Sequence, residues 1–488
     1  MVPVVAEPTP GTRVVLLQAP YPGSLKFDSQ PSSLLHAVAV YAQRLAREGR
    51  VEELGWVDPG VPTPDYRQRL DVVLASPRTR VLLVSTTNAA IEEAAWVVQR
   101  ARQVRGEGLL VVVGGPHEDD VEEPAAKRIS GTNLSLAGDC EFVVDHLLRE
   151  FETSSLSPAE FSRWFWEQVS AARLKGRVAV SHPELGTKRL ELGRIESSDL
   201  VPPPWTTKRV RFSVFDAEET LPLLVSRGCS YGRCTFCAEP NQASSRVVYE
   251  TFDWVRELAA SRPGAAIYFQ DSIFPKTQAV EEQLLPMLKR LGAPWGAQVY
   301  LRALSRSWLE KLREHGCQYI YTGLESASTT VLAGIGKSGF SSDVALERLA
   351  WCRELGLRVG ISIMFGAIDL NARVLETLGT VAETMALART ISRSGLHVTG
   401  FYPNVMTVLA GTQLERALRS RGVRLDFYRM PRAPEFAAFE DGGVGWNYLT
   451  MGLLPPEESR ALTASIVSAE AALRSCRRPL PQQASDYL

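Results

Sequence analysis

The first 150 residues of the chain alternate short apolar runs with amphipathic stretches. Runs of strand length are TRVVLLQAP, RVLLVSTTN, GLLVVVGGPH and LSLAGDCEF. Between them, SSLLHAVAVYAQRLAREG and IEEAAWVVQRARQV have helical spacing, and Val38, Tyr41 and Leu45 share one face of the first. Nearly continuous Val and Leu runs between amphipathic helices are typical of a parallel sheet buried on both faces. The pattern predicts an α/β, doubly wound, Rossmann-like domain over residues 1–150.

Ligands of doubly wound sheets bind beyond the carboxyl ends of the strands. The residues that follow the predicted strands are therefore candidate ligand contacts: Ser85, Thr87, Gly114, Gly115 and the stretch from Gly138 to Glu141. A dinucleotide is disfavoured because QAPYPG, after the first strand, does not fit the pattern GxGxxG. A scaffold that binds nothing stays open as an alternative.

Residues 151–208 change character and end in SSDLVPPPW, whose consecutive prolines favour an extended backbone. We interpret this stretch as a linker. After it, six apolar strands alternate with helices: LPLLVSRG, AAIYFQD, WGAQVYLRA, QYIYTGLES, VGISIMFG and LHVTGFYP. This alternation predicts a (β/α)6-type partial TIM barrel over residues 209–415. Residues 416–488 are less regular and predict a small, mostly helical C-terminal region.

Composition narrows the possible partners. Of 488 residues, 45% are apolar and 22% are charged, and the formal net charge of -1 disfavours a nucleic-acid partner. No apolar run is long enough to span a membrane, and MVPVVAEPTPGTR lacks the layout of a signal peptide. We expect a cytoplasmic monomer that contacts neither nucleic acid nor membrane. Seven cysteines, an odd number, argue against a disulfide framework in a reducing compartment.

Three of those cysteines lie close together in LLVSRGCSYGRCTFCAEP, just after the first barrel strand. Cys229, Cys234 and Cys237 cannot close a structural zinc site by themselves, because such sites use four protein ligands. A three-ligand site leaves one metal position open, as catalytic sites do. Soft thiolates favour an iron-sulfur cluster, zinc or copper(I).

The sequence RGCSYGRCTFC resembles the cluster-binding loop of the radical S-adenosylmethionine (SAM) enzymes. In that family three cysteines bind a 4Fe-4S cluster and SAM chelates the fourth iron. The first gap here has four residues where the family usually has three, and Gly228 and Gly232 give the backbone freedom to absorb the difference. The alternative is a chance cysteine-rich turn or a weak zinc knuckle.

Other strand ends match the family in order and spacing. The resemblance implies that Glu325, in YTGLES, binds the ribose of SAM, where a carboxylate can accept hydrogen bonds from vicinal hydroxyls. It also implies further SAM contacts at Phe236, Gln270, Asp271 and Gly366.

A Rossmann-like domain before the barrel resembles the cobalamin-binding subgroup of this family. The resemblance implies cobalamin contacts at strand ends and in the turns after them: Ser85, Thr87, Gly114, Gly115, His117, Gly138 and Glu141. No DxHxxG stretch follows the first strand, so we expect no histidine from that loop to bind cobalt. We interpret His117 as a loop residue near the nucleotide tail.

The resemblance implies a cobalamin-dependent C-methyltransferase that acts on an unactivated carbon through a 5'-deoxyadenosyl radical and methylcobalamin. The substrate would be a small natural-product intermediate or a peptide, and an external flavodoxin or ferredoxin would supply electrons. Candidate substrate contacts are Tyr300, Arg302, Tyr402 and Asn404, with Trp446 and Tyr448. Cyclisation, ring contraction or another oxidation without methyl transfer stays open, as does a non-catalytic metal-binding module. A methylthiotransferase is disfavoured, because that group carries additional N-terminal cysteines for a second cluster and only Cys140 precedes the three clustered cysteines.

Overall fold

The computed structural model describes most of the chain. The described residues are 14–19, 33–50, 53–57, 65–87, 90–115, 118, 123–193, 195–199, 214–215, 217–238, 247–439 and 443–476. The chain divides into two compact units. The N-terminal unit comprises residues 1–208, 241–249 and 426–430, and the barrel unit comprises 209–240, 250–425 and 431–488.

The N-terminal unit is built around a seven-stranded sheet. Its strands are β1 (Val14–Gln18), β2 (Leu54–Val57), β3 (Val81–Ser85), β4 (Leu110–Gly114), β5 (Leu134–Gly138), β6 (Arg177–His182) and β7 (Gly186–Glu191). Its helices are α1 (Ser33–Arg47), α2 (Asp65–Ala75), α3 (Ile91–Arg105), α4 (Ala125–Arg128), α5 (Glu141–Thr153) and α6 (Pro158–Gln168). The strand order is β2-β1-β3-β4-β5-β6-β7, and β1 to β5 are parallel.

Both faces of this sheet are buried, as the apolar runs predict. Leu83 packs in a core cluster with α1, α5 and α6, whereas its neighbour Val84 packs in a second cluster with α2 and α3. On α1, Val38, Tyr41 and Leu45 are fully buried, which confirms the predicted face. The doubly wound architecture is therefore confirmed.

The linker prediction for residues 151–208 is wrong over much of its length. Strands β6 and β7 extend the sheet in antiparallel fashion beyond β5. Val178 and Val180 are buried in the same core cluster as Leu136 of β5. Without these strands, β5 would be an exposed edge of the sheet. The hairpin of β6 and β7, whose side chains alternate between apolar and polar, covers that edge.

The barrel unit contains a six-stranded sheet, all of whose strands are parallel. Its strands are β8 (Thr220–Leu223), β9 (Ala266–Phe269), β10 (Trp295–Val299), β11 (Cys317–Glu325), β12 (Arg358–Phe365) and β13 (Val398–Val405). They are ordered β13-β12-β11-β10-β9-β8, so each strand pairs with its neighbours in the chain and β8 and β13 are the two edges. This arrangement confirms the predicted partial barrel.

Helices connect these strands and follow the last one. They are α7 (Asp253–Ser261), α8 (Leu285–Leu291), α9 (Arg306–Glu314), α10 (Thr329–Gly334), α11 (Ser342–Glu354), α12 (Leu378–Arg393), α13 (Gln413–Arg419) and α14 (Pro456–Ser475). A π-helical turn, Val280–Leu284, precedes α8, and two-residue strands occur at Ser226–Arg227 and Val247–Val248. Among the described residues, no helix has the length and apolar character needed to cross a bilayer.

Candidate functional site

The three clustered cysteines lie on a loop that leaves the carboxyl end of β8. All three are outside any disulfide and partly exposed. Gly228 and Gly232 have φ angles of 76° and 58°, in the left-handed region that favours glycine. These two glycines therefore allow the backbone turns of the loop. This agrees with the prediction that they accommodate the four-residue gap between Cys229 and Cys234.

Hydrogen bonds hold this cysteine loop against the segment that follows α10. The Thr235 N–H donates to the Ile335 carbonyl at 3.1 Å, and the Tyr231 hydroxyl donates to the Gly336 carbonyl at 2.5 Å. Gly336 has φ 82°, and a Cβ there would lie 2.3 Å from the Arg233 carbonyl oxygen. The two segments thus pack backbone against backbone, which fixes the cysteine loop to the carboxyl end of β11.

Three thiolates are a donor set that an iron-sulfur cluster can use. In the described part of the chain, no three His, Cys, Asp or Glu side chains are close enough to share one metal ion. A 4Fe-4S cluster binds each thiolate at a different iron, so its cysteines need not converge on one point. Burial raises the pKa of the Cys234 thiol to about 11, and the Lys337 ammonium opposes that rise.

Glu325, the predicted ribose ligand, ends β11 in an unusual conformation. Its φ is 65°, which is rare for a residue other than glycine, and the pairing of β11 with β12 shifts register there. The carboxylate is buried and accepts a hydrogen bond from Lys337 Nζ at 2.6 Å. Sequence analysis missed Lys337, because no spacing in GIGKSG distinguishes it from a surface lysine.

The other predicted SAM contacts lie at neighbouring strand ends. Asp271 is 1% exposed and accepts hydrogen bonds from the Val225 N–H and, at 2.5 Å, from the Ser226 hydroxyl. Burial raises the pKa of Asp271 to about 7, although these hydrogen bonds oppose the rise. Asp271 therefore holds the backbone that leads into the cysteine loop. Gln270 and Phe236 are partly exposed, and their contacts with SAM stay predictions.

Gly366 follows β12 with φ 69°, and Tyr448 lies directly behind it. A Cβ at Gly366 would lie 2.8 Å from the Tyr448 ring. Tyr448, which we expected near the substrate, is fully buried, and its hydroxyl is 2.8 Å from that of Thr463. Tyr448 thus packs against Gly366 from within the core.

The face of the barrel sheet opposite its apolar face carries uncharged polar and aromatic side chains. Several strand residues on this face are partly exposed to solvent: Gln298, Tyr321, Ser362, Tyr402 and Asn404. The Tyr321 and Tyr402 rings lie 5.4 Å apart, and Asn404 Nδ2 donates to the Ser362 hydroxyl at 3.2 Å. Complete TIM barrels fill this space with Val, Ile and Leu. The partial exposure of these side chains therefore indicates that the space in front of this face, the lumen, is open to solvent.

The four predicted substrate contacts separate into two pairs. Tyr402 and Asn404 belong to the lumen. Tyr300 lies beyond β10, its ring 4.7 Å from that of Tyr231 in the cysteine loop. Arg302 is exposed and donates a hydrogen bond to the Ser338 carbonyl at 2.6 Å. It therefore helps to hold the segment that follows Lys337 in place.

In the N-terminal unit, the ends of β3 and β4 form a second candidate site. The strand order makes β1 and β3 neighbours, which is the switch point where doubly wound sheets bind ligands. The Ser85 carbonyl accepts from the Ala19 N–H at 2.8 Å, and the Gly114 carbonyl accepts from the Thr86 N–H at 2.9 Å. The strands thus stay paired up to the predicted contacts.

Gly115 packs closely against the end of β3, and Thr87 places a buried polar group there. A Cβ at Gly115 would lie 2.6 Å from Ser85 Oγ and 2.7 Å from the Thr86 carbonyl oxygen. Among the described residues, the buried Thr87 hydroxyl has no hydrogen-bond partner. A buried orphan hydroxyl is costly unless a ligand or water satisfies it. These features fit the tail of cobalamin, for which Ser85, Thr87 and the glycine pair would supply the contacts.

The remaining predicted cobalamin contacts have other surroundings or lie outside the described residues. A Cβ at Gly138 would lie 2.1 Å from the Arg177 carbonyl oxygen, so β6 already requires glycine there. Glu141 begins α5 and is buried. His117 lies outside the described residues. Contacts of all three with cobalamin stay predictions.

Comparison with known proteins identifies a radical SAM domain. Residues 223–381 match the Radical SAM superfamily. A relative in Pyrococcus horikoshii, described as an uncharacterized methyltransferase, is 25% identical over 324 residues, or 63% of each chain. The match thus spans less than two thirds of that relative's length.

Solved structures share the fold of both units. TsrM of Kitasatospora setae, a radical SAM methyltransferase solved with cobalamin and a 4Fe-4S cluster bound, superposes with a TM-score of 0.61 at 16% identity. That alignment covers 95% of this chain and 89% of TsrM. OxsB, a cobalamin-dependent SAM radical enzyme solved with aqua-cobalamin, superposes with a TM-score of 0.60 at 14% identity, covering 89% of this chain and 64% of OxsB. At these identities the likeness shows the fold.

Proposed function

We propose that this chain, whose residues 223–381 form a radical SAM domain, is a cobalamin-dependent radical SAM enzyme that methylates an unactivated carbon. The observation that carries the proposal is the cysteine loop at the carboxyl end of β8, inside the matched region. Its three partly exposed thiols contrast with Cys317 and Cys352, which are fully buried in the barrel unit. Three accessible ligands leave one iron of a 4Fe-4S cluster open for SAM.

The residues of the barrel would hold the reactants and limit the access of water. Cys229, Cys234 and Cys237 would bind the cluster, and Glu325 would accept hydrogen bonds from the ribose of SAM. When bound, the cluster with SAM supplies a 5'-deoxyadenosyl radical, and methylcobalamin supplies the methyl group. The protein itself orients the reacting atoms and shields them from water. Hydrogen abstraction by a radical needs no general base.

Support for cobalamin comes from the switch point of the N-terminal unit. The orphan Thr87 hydroxyl fits a ligand that carries polar groups, and glycine at position 115 lets the loop after β4 pack directly against Ser85 and Thr86 at the end of β3. TsrM and OxsB, which share the fold of this chain, were solved with cobalamin bound. We assign Ser85, Thr87, Gly114 and Gly115 to that ligand.

The lumen supports an uncharged substrate group with aromatic or amide character. Tyr321 and Tyr402 offer ring faces, and Gln298, Ser362 and Asn404 offer hydrogen bonds, without a charged side chain among them. TsrM was solved with tryptophan as substrate. For this chain we propose a small intermediate or a peptide side chain with those properties, and a flavodoxin or ferredoxin as electron donor.

A second candidate is a cobalamin-dependent oxidation, such as cyclisation or ring contraction, without methyl transfer. The fold match to OxsB, which is described as a SAM radical enzyme and not as a methyltransferase, keeps this candidate open.

The deciding experiment is anaerobic reconstitution followed by mass analysis. The chain is incubated with SAM, cobalamin, dithionite and a panel of tryptophan analogues and short aromatic peptides. A product heavier by one methylene supports methylation, and a product lighter by two hydrogens supports the oxidase. Absence of both cluster absorbance and 5'-deoxyadenosine would overturn the enzyme proposal. The variant in which Cys229, Cys234 and Cys237 are all Ala is the control.

A further inference from the structure

Lys337 and Glu325 form a buried ion pair at the carboxyl end of β11. Lys337 is 9% exposed, Glu325 is 8% exposed, and Lys337 Nζ lies 2.6 Å from Glu325 Oε1. A buried ion pair is often no more stabilising than apolar residues of similar volume, because both charges lose their hydration. Its presence at a strand end therefore points to a role other than stability.

The surrounding backbone is arranged to make room for this pair. A Cβ at Gly323 would lie 2.1 Å from Glu325 Oε1 and 3.1 Å from Lys337 Nζ. Glu325 itself adopts a left-handed φ of 65°, a conformation that is strained for a residue other than glycine. Strain of this kind persists only where the surroundings enforce it, and it concentrates at functional sites.

Lys337 is also fixed relative to the cysteine loop. Its neighbours Ile335 and Gly336 accept hydrogen bonds from Thr235 and Tyr231 of that loop. The Lys337 ammonium lies 5.7 Å from the centre of the Tyr300 ring, which in turn contacts Tyr231. The charge of Lys337 acts on the Cys234 thiol, whose pKa it lowers. The same ammonium is thus hydrogen-bonded to the predicted ribose ligand and interacts electrostatically with one predicted cluster ligand, Cys234.

We propose that Lys337 is a positioning residue that orients the Glu325 carboxylate for SAM and raises the reduction potential of the cluster bound at Cys234. The inference rests on the proposed function. When an external one-electron donor reduces the cluster, the cluster gains one negative charge. A fixed ammonium nearby stabilises that reduced form, whereas the Glu325 carboxylate opposes it.

Two substitutions test the pair because they move the potential in opposite directions. Lys337→Met removes the cation and leaves the carboxylate, so the midpoint potential should fall. Glu325→Gln removes the anion and leaves the cation, so the potential should rise. Both variants should bind SAM at least tenfold more weakly. Lys337→Arg, which keeps the charge, should restore the wild-type potential.

The readouts are an EPR-monitored redox titration of the reconstituted cluster without SAM, and SAM affinity by equilibrium dialysis. Lys289→Met is the matched control, because it removes the same charge from an exposed ion pair of the same unit. Equal potentials in Lys337→Met, Glu325→Gln and wild type would overturn the inference while leaving the proposed function intact. If the Lys337→Met variant assembles no cluster, the Glu325→Gln variant becomes the test. A midpoint potential of Glu325→Gln equal to that of the wild type would then overturn the inference. If the wild-type chain assembles no cluster, the proposed function fails first.

Discussion

Gly115 shows how a single missing side chain shapes the N-terminal site. Its φ of 103° is strained for any other residue, and a Cβ would press against Ser85 Oγ and both backbone polar atoms of Thr86. The end of β3 would have to move to admit even alanine. Because Thr87 follows directly, that movement would also displace the orphan hydroxyl that we assign to cobalamin.

Gly115→Ala should therefore weaken cobalamin binding at least tenfold and destabilise the unit by about 1–3 kcal/mol. Gly108→Ala is the matched control, since a Cβ at Gly108 would meet nothing within 4 Å and its φ is not in the left-handed region. The measurement is the cobalamin absorbance retained after gel filtration. Equal retention by the two variants would contradict the assignment of this site.

At the scale of elements, strands β6 and β7 form part of the N-terminal sheet. In the first half of β6, Val178 and Val180 are buried in the core while Arg177 is exposed, which is the alternation of a strand with one solvated face. This pattern is short and lies among prolines and polar residues, so sequence analysis assigned it to a linker. Only the position of β5 beside it shows why a hairpin is needed.

Val180→Ala should lower the local stability of the sheet by about 2 kcal/mol, because it removes buried methyl groups and leaves a cavity. Since 1.4 kcal/mol is about tenfold, amide hydrogen exchange in peptides that cover β5 and β6 should speed up roughly 30-fold. Val72→Ala is the control, because Val72 lies in the same unit and is 56% exposed. Unchanged exchange in Val180→Ala would mean that these residues behave as a linker.

At the scale of the whole molecule, the two candidate sites lie in different compact units. The cysteine loop belongs to the barrel unit, and the ends of β3 and β4 belong to the N-terminal unit. Each unit has a cluster of buried apolar residues of its own. Loss of one cofactor should therefore leave the other site folded.

Replacing Cys229, Cys234 and Cys237 with Ala should abolish bound iron and SAM cleavage while cobalamin binding stays within about twofold of wild type. Cys476→Ala is the control, because Cys476 lies just after α14 and far from the cysteine loop in the chain. This variant should keep the iron content of the wild type. Iron content and cobalamin absorbance are measured on the same samples. Joint loss of both cofactors would refute the independence of the two sites.

The sequence by itself determined the features that arise from local order. Hydrophobic periodicity predicted both parallel sheets, because burial of a strand or helix face imposes its period on the chain. The cysteine loop could be recognised in the sequence because its three cysteines lie within nine residues of one another. Strand-end residues such as Ser85, Thr87 and Glu325 were predictable because parallel sheets bring carboxyl ends to one edge.

Tertiary structure decided what depends on contacts between distant segments. The pairing of Lys337 with Glu325, the bonds of Thr235 and Tyr231 to the segment after α10, and the packing of Tyr448 behind Gly366 carry no periodic signal. The same holds for β6, whose strand character depends on an open edge at β5. Such contacts are specified by the path of the whole backbone, and a linear pattern does not record that path.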